Sequence, residues 1–262
     1  MYTLKNYVKA QTVEQALSLL QENRRNVILG GNMWLRMGNA SYHTGIDLSD
    51  LGLDTVESDG DGARIGAMAT LSVLRDDPLL DRLSHGAFRR AVSPIVGTQF
   101  QNMATVGGSL FARFGFSDIN TLLLAMNASA EFAGAGIRTA EDYLSDPANK
   151  VRDILVRIRI PGNWTGVAFA DFRNTSTDLP VLNCACACDG DDFRIVVGAR
   201  PQRCMLCPKA SLAWKNGEAP ETVGKTAAEE LVFGTNTRAG AAYRQLLCEQ
   251  LVAKCVKEAS LC

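Results

Sequence analysis

The sequence predicts an α+β protein on three observations. Helical and strand periodicities alternate through the N-terminal half, residues 153–160 alternate between apolar and charged side chains, and beyond Pro161 the pattern changes to short strands closed by a long helix. The chain has 262 residues, 47% of them hydrophobic and 21% charged, enough to bury about three quarters of its unfolded surface. That excludes an intrinsically disordered tail.

Residues 6–35 read as strand, helix, strand and glycine turn. Thr12 followed by Gln15 forms a capping-box pattern, and Val13, Ala16, Leu17, Leu19 and Leu20 give the helix an apolar face. Val27, Ile28 and Leu29 make a short buried-strand run that stops at Gly30 and Gly31. A strand at 46–48 closes this unit, and the acidic stretch 57–62 reads as a turn between subdomains, with 60–66 a hairpin turn. Arg64, Ile65, Gly66 and Ala67 open the next unit. Thr70 caps a helix through Leu71, Val73 and Leu74, and two helices are expected before Pro94. Residues 104–111 read as extended, interrupted by Gly107 and Gly108, and Asp118 is placed to cap a helix through Leu122, Leu123, Leu124 and Met126.

The clearest strand is 153–160, with Ile154, Val156, Ile158 and Ile160 on one face and Arg157 and Arg159 on the other. After it, 167–172, 181–188 and 193–198 read as three antiparallel strands, the last two joined by a turn at Asp189 and Gly190. Residues 238–260 carry helical spacing, with Leu247, Leu251 and Cys255 in one row beside Val252 and Val256, so a long helix should pack on that sheet.

Charge and residue usage narrow the function. With 27 basic and 28 acidic side chains the formal net charge is -1, so no basic field draws the chain to nucleic acid or anionic lipid. No apolar run approaches the ~18 residues of a membrane span, and the first residues lack a signal-peptide pattern. A cytoplasmic protein is expected, with no membrane partner. His43 and His85 are the only histidines, too few for a His-rich metal site or a histidine relay, so a bound cofactor should supply the chemistry. The 8 cysteines read as thiols in a reducing compartment.

Two glycine turns are the leading motifs: Leu29, Gly30, Gly31, Asn32, Met33 and Ala104, Thr105, Val106, Gly107, Gly108, Ser109. Lacking Cβ, paired glycines let main-chain N–H groups close on phosphate oxygens, with Asn32, Thr105 and Ser109 adding hydrogen bonds. Two such turns could grip one diphosphate. Taken singly each is more often a tight turn, and neither matches the G-x-G-x-x-G dinucleotide pattern. Gly224, Lys225 and Thr226 resemble the end of a phosphate loop but lack its earlier glycine and its strand. Cys184, Cys186 and Cys188 alternate on one strand face, and Cys204 and Cys207 form a C-x-x-C. A zinc or iron–sulfur site needs four converging ligands, so the default is buried small residues plus one exposed pair, with no metal ligand assigned. Cys248, Cys255 and Cys262 lie seven apart and read as core packing. Phe114 and Phe116 around Gly115 read either as a surface loop pinned by two phenylalanines or as a flank for a flat ring.

In combination these pieces resemble the FAD-binding (medium) subunit of the molybdenum hydroxylases, of the xanthine dehydrogenase, nicotinate dehydrogenase and carbon monoxide dehydrogenase types. Residues 27–35 are similar to the family's first flavin loop, Ile65, Gly66, Ala67 to its I-G-A strand, and residues 101–109 to its R-N-x-A-T-I-G-G-N loop. Asp118 matches the aspartate before L-L-A-L-D-A, here Leu123, Leu124, Ala125, Met126, Asn127, Ala128. Ile154 and Leu155 before Ile160 and Pro161 look like E-I-L…I-P, Phe172 and Arg173 like F-K or F-R, and Tyr243 and Arg244 like the late Y-R.

The resemblance implies a two-lobe FAD-binding domain of the PCMH type, with lobes at 1–52 and 53–161. A small C-terminal domain of three-stranded antiparallel sheet plus helices would follow at 162–262. FAD would lie between the two lobes. Its diphosphate would be held by Val27, Ile28, Leu29, Gly30, Gly31, Asn32, Met33 and Trp34 and by Ala104, Thr105, Val106, Gly107 and Gly108, with the Thr105 hydroxyl as donor. Asp118 would hold the adenosine side, Ile154 would line the cleft, and Arg173 would approach the isoalloxazine or its acceptor. A large partner subunit with a molybdenum-pterin cofactor and a small one with 2Fe-2S clusters complete a hetero-oligomer. The flavin passes electrons to NAD or another acceptor, so this chain holds no hydroxylation base and no catalytic residue of its own. A purine or other N-heterocycle is the expected substrate of the partner. The sequence departs from the family pattern at Asn32, Met33, Trp34 and Gln101, and in the loop 113–116. Two rivals remain at this point: a cysteine-based metal or iron–sulfur scaffold without flavin, and a free-standing flavin oxidase.

Overall fold

The computed structural model describes residues 1–145, 152–190 and 192–261. Strand β1 (Thr3–Lys9), helix α1 (Val13–Glu22), β2 (Val27–Leu29) and β3 (Ser41–Asp47) come first, and the strands pair in the order β1-β3-β2, all parallel. Parallel strands of one sheet need a crossover, and α1 carries the chain from β1 to β2 on either side of β3. Thr12 caps it as expected, its hydroxyl accepting from Gln15 N–H at 3.1 Å, while Gln15 Oε1 accepts from Gln11 N–H at 2.7 Å. Ala16 and Leu20 then pack with Ile46, Leu48, Ile154 and Val156, so the core of this unit already reaches the strand the sequence marks most clearly.

The second unit is an antiparallel sheet under short helices. Strands β4 (Val56–Asp59) and β5 (Gly62–Gly66) form a hairpin across Gly60, whose φ of 65° requires glycine. The stretch expected as a turn between subdomains is therefore half strand. Glu57 and Asp59 sit on the edge strand β4, where Asp59 meets Arg64 at 2.9 Å. Helices α2 (Leu71–Asp76), α3 (Pro78–Leu83) and α4 (Ala87–Val92) precede Pro94, three where two were expected. Asp77 caps α3 by accepting from Leu79 and Leu80, and Gly86, at φ 80°, separates α3 from α4.

Next come α5 (Thr98–Gln101), α6 (Val106–Ala112) and α7 (Asp118–Ala125). The extended segment expected at 104–111 is the helix α6. The Thr105 hydroxyl caps it, and Val106 and Leu110, one turn apart, are buried on one face. Ser117 rather than Asp118 caps α7. Strands β6 (Ser129–Phe132) and β7 (Gly136–Thr139), helix α8 (Ala140–Ser145) and strand β8 (Leu155–Ile160) follow, and the sheet runs β4-β5-β8-β6-β7.

The third sheet holds β9 (Gly166–Phe172), β10 (Leu182–Cys188), β11 (Phe193–Gly198) and a fourth, two-residue strand β12 (Met205–Leu206), in the order β12-β11-β10-β9, all antiparallel. Helices α9 (Pro208–Lys215), α10 (Pro220–Glu230) and α11 (Ala241–Ala259) cover it. Side-chain alternation on β10 separates two cores. Ala185 and Ala187 join Phe88, Leu122 and Phe169 in the central core, while Cys184, Cys186 and Cys188 join Val252, Cys255 and Val256 in the core under α11. The central core thus runs across residue 161, and the change of pattern there separates sheets without separating cores.

The long closing helix packs on the sheet as expected. Gly224 lies inside α10, where an added Cβ would stand 2.2 Å from the Glu249 carbonyl oxygen, so it serves helix packing. The C-x-x-C pair is not exposed: Cys204 belongs to the central core and Cys207 to the other. Cys262 lies outside the described residues. Among the described residues no helix is long and apolar enough to cross a membrane.

Candidate functional site

The two glycine turns meet main chain to main chain. A Cβ on Gly31 would stand 1.7 Å from the Met103 carbonyl oxygen, and one on Gly30 would stand 3.2 Å from Thr105 Oγ1. Beside this junction opens a cavity of about 350 Å³, bounded by the 28–35 segment, the 104–119 segment, residues 153–155 and residues 173–179. Among the described residues its charged lining is confined to Asp118, Asp153, Arg173 and Asp178.

The first turn is an open cradle of donors. Asn32 adopts a left-handed φ of 58°, and the main-chain N–H groups of Gly31, Asn32, Met33 and Trp34 donate to no acceptor among the described residues. Successive N–H groups around a left-handed residue converge as an anion-binding nest. Leu29 and Met33, each 7% exposed, anchor the turn in the protein; in β2, Ile28 lines the cavity and Val27 stands outside its lining.

The second turn works differently from the sequence expectation. The N–H groups of Val106 and Gly107 donate to Ala69 O and Ala67 O, both at 2.9 Å, and that of Gly108 to Thr105 Oγ1 at 3.1 Å. Gly107 is needed for packing, since its Cβ would stand 2.5 Å from the Ala67 carbonyl oxygen. A Cβ on Gly108 would meet only Thr105 Oγ1, at 3.1 Å. Ala104 is buried, and its carbonyl accepts from Leu71 N–H at 2.9 Å. What the second turn presents to the cavity is therefore Thr105, with its hydroxyl and an N–H that has no acceptor among the described residues.

At one end of the cavity a buried ion network replaces two separate expectations. Arg173 reaches Asp118 Oδ2 at 2.7 Å, Asp171 Oδ2 at 2.6 Å and the Asp178 carbonyl at 2.5 Å. Asn183 donates to the other Asp118 oxygen at 2.8 Å and accepts from the Thr121 hydroxyl at 2.9 Å. Asp118 and Arg173 thus serve one end of the cleft rather than two. Burial pushes the Asp118 carboxyl up to about 6 against the opposing pull of Arg173 and Asn183. Ile154, 1% exposed, is fixed by Asp153, whose carboxylate accepts from the N–H groups of Gly134, Ala135 and Ile154. Asp171, Asp178 and Asn183 carry no sequence motif. The one cue was Asn183, an amide inside an otherwise apolar strand.

The loop 113–116 lines the same cavity. Phe114 and Phe116 stack with centroids 5.0 Å apart, and Trp34 leans on them at 5.3 and 5.4 Å. Gly115 pins the loop: its carbonyl accepts from Ala199 N–H at 2.9 Å, and its Cβ would stand 2.2 Å from the Pro201 carbonyl oxygen.

Among the described residues the thiols form one cluster, and it is not comparable to this cleft. Cys184, Cys186 and Cys255 place their sulfurs within 4.8 Å of one another, three ligands in a dry core where a zinc or iron–sulfur centre takes four. Burial raises the Cys184, Cys186 and Cys207 thiols well above their ordinary range, which suits inert packing.

Chemically, the cleft offers main-chain donors and one hydroxyl for an anion, apolar and aromatic walls, and a fixed guanidinium. These suit a dinucleotide whose diphosphate lies at the junction of the turns and whose flat ring lies against the walls; no lysine is required. Comparisons point the same way. The model for the FAD binding domain in molybdopterin dehydrogenase matches residues 2–163. The chain is 26% identical over 276 residues to the nicotine 6-hydroxylase medium subunit of Paenarthrobacter nicotinovorans, covering 97% of this chain and 96% of that one. It is 25% identical over 285 residues to the xanthine dehydrogenase FAD-binding subunit of Escherichia coli O157:H7, covering 99% and 97%. A structure of reconstituted CO dehydrogenase from Oligotropha carboxidovorans superposes with a TM-score of 0.86 at 21% identity, covering 98% of this chain and 97% of that one.

Proposed function

We propose, from the fact that this chain belongs to the family of FAD-binding domains in molybdopterin dehydrogenases, that it is the FAD-carrying electron-transfer subunit of a cytoplasmic molybdenum hydroxylase complex. FAD, when bound, supplies the redox chemistry: it takes electrons one or two at a time and delivers them to a soluble acceptor. The chain's own residues bind, orient and shield it. The N–H groups of Gly31, Asn32, Met33 and Trp34 and the Thr105 hydroxyl hold the diphosphate, with Gly30 and Gly108 leaving the approach bare. Ile154 and the Arg173–Asp118 pair position the ring system. The observation that carries this reading is the junction at Gly31 and Met103, which sets the unbonded N–H groups of residues 31–34 beside Thr105.

The division into lobes 1–52 and 53–161 and a C-terminal domain 162–262 belongs to the same proposal, with FAD between the first two. So do the partners: a large subunit carrying the molybdenum-pterin cofactor, where substrate is hydroxylated, and a small subunit whose 2Fe-2S clusters deliver electrons. The proposed acceptor is NAD or another soluble electron acceptor. Support comes from the names of the relatives, both subunits of hydroxylases or dehydrogenases.

The test is the absorption spectrum and flavin content of the purified chain. Stoichiometric FAD is expected, lost in Gly108→Trp, which fills the open side of the second turn, and weakened in Thr105→Ala. A chain that neither retains nor takes up FAD would overturn the proposal.

A further inference from the structure

Three aromatic side chains on the cleft wall are left without a task by the diphosphate cradle. Trp34 is the last residue of that cradle, and Phe114 and Phe116 lie four and two residues before Asp118. Phe114 and Phe116 are stacked, 5.0 Å apart at an interplanar angle of 11°, and Trp34 tilts against both. They are not core: Trp34 remains 43% exposed, and none of the three belongs to a buried cluster. Nor do they ride on a loose loop, because Gly115 between the phenylalanines is clamped against Ala199 and Pro201. A fixed aromatic face left half open beside an anion cradle suits a flat ring, which gains offset or edge contacts beyond its area burial.

We propose that Trp34, Phe114 and Phe116 form the stacking face for the isoalloxazine of the bound FAD. The proposal rests on the FAD reading above. Two flat rings compete for such a face, adenine and isoalloxazine, and the neighbouring donors decide between them. The loop that carries Phe114 and Phe116 runs into Asp118, which with Asp171 and the Asp178 carbonyl fixes the Arg173 guanidinium and leaves it N–H groups to spare on the cavity wall. Isoalloxazine has a pyrimidine edge with two carbonyl oxygens that can accept from such donors. Adenine has no carbonyl oxygen. The face also keeps water from one side of the ring, leaving the other side and the edge to donor and acceptor.

Indole in contact with an excited flavin donates an electron to it and quenches its fluorescence; phenyl rings do not. The test uses the full chain loaded with FAD, with occupancy read from absorbance and flavin emission read separately. Bound FAD in the wild type is expected to be strongly quenched. Trp34→Leu keeps the surface apolar and should restore emission several-fold at full occupancy, with FAD binding weakened by up to about tenfold. Trp214→Phe, in the core under α11, should leave emission quenched. Equal quenching in Trp34→Leu and the wild type at full occupancy, or bright bound FAD in the wild type, would overturn the ring placement and leave the FAD reading standing. Weaker FAD binding in Trp34→Leu with unchanged emission would move the face to adenine and likewise overturn it. A wild-type chain that binds no FAD would overturn both.

Discussion

Gly31→Ala adds one methyl group at the point where the two glycine turns touch. That carbon would stand 1.7 Å from the Met103 carbonyl oxygen and 2.6 Å from its carbonyl carbon, whereas ordinary contact begins at 3.4 Å. Both opposing atoms are backbone, so no side chain can swing aside. The opposing segment is also held in place: Met103 and Ala104 donate to Phe100 O at 3.1 and 2.8 Å, and Ala104 O accepts from Leu71 N–H at 2.9 Å. The turns must separate by roughly the difference, about 1.7 Å, and such overpacking costs about 1–3 kcal/mol of stability. The larger effect falls on binding. Separation draws the donors of 31–34 away from Thr105, and each hydrogen bond to a charged group contributes about 1.5–3 kcal/mol. Losing two of them amounts to about 3–6 kcal/mol, or a Kd for FAD raised roughly 10²- to 10⁴-fold. Calorimetric titration of the FAD-free chain with FAD measures it, alongside a urea transition for stability. Gly38→Ala is the control: its φ is -81° and its Cβ would meet only Leu35 O at 3.4 Å, so both values should stay within about twofold of wild type. If Gly31→Ala binds FAD within about threefold of wild type, the cradle does not depend on that junction and the reasoning fails.

Other predictions concern the network and the core. The Asp118 carboxyl, at about 6 in the fold against 3.8 unfolded, binds more protons folded than unfolded, so the stability it lends is full below pH 3.8 and is lost as pH rises through 6. Relative to Asp118→Asn, the wild type should therefore lose about 2 kcal/mol between pH 4 and 7, measured by urea midpoints; a flat difference would sink the idea. Arg244→Met removes a fully buried guanidinium that satisfies Val181 O, Gly234 O, Ala239 O and Asn236 Oδ1. Stability should drop by about 3–5 kcal/mol in the same assay. Because all seven described cysteines are buried, Ellman's reagent should reach at most one thiol rapidly in the native chain and all 8 after denaturation.

Where the sequence reading succeeded, the signal was local. The α1 cap at Thr12, the alternation of β8 and the row of apolar residues on α11 are each written within a few turns of chain, and the structure has all three. Expectation and structure part at segments whose local pattern is shared by two structures. Gly107 and Gly108 lower both helix and strand preference, and helix won at 106–112 because Thr105 caps it and Val106 and Leu110 are buried. The Cys204 and Cys207 pair looked like a surface motif, but the short strand β12 carries it between two cores.

The candidate site divides the same way. Both glycine turns, Asp118, Ile154 and Arg173 were visible in one dimension because backbone freedom, a charge in an apolar setting and an ordered set of motifs are properties of the chain itself. How they act was not visible. That Gly31 exists to touch Met103, that Gly107 exists to touch Ala67, and that Arg173 is bound to Asp118 across 55 residues are facts about distance between segments far apart in sequence. By itself the sequence determined the α+β class and much of the order of elements, and it singled out the residues proposed to hold a dinucleotide. Only the tertiary structure decided which of them point at the cleft and which hold the walls together, because the same bare glycine that admits a ligand also admits a neighbouring strand of main chain, and packing alone chooses between them.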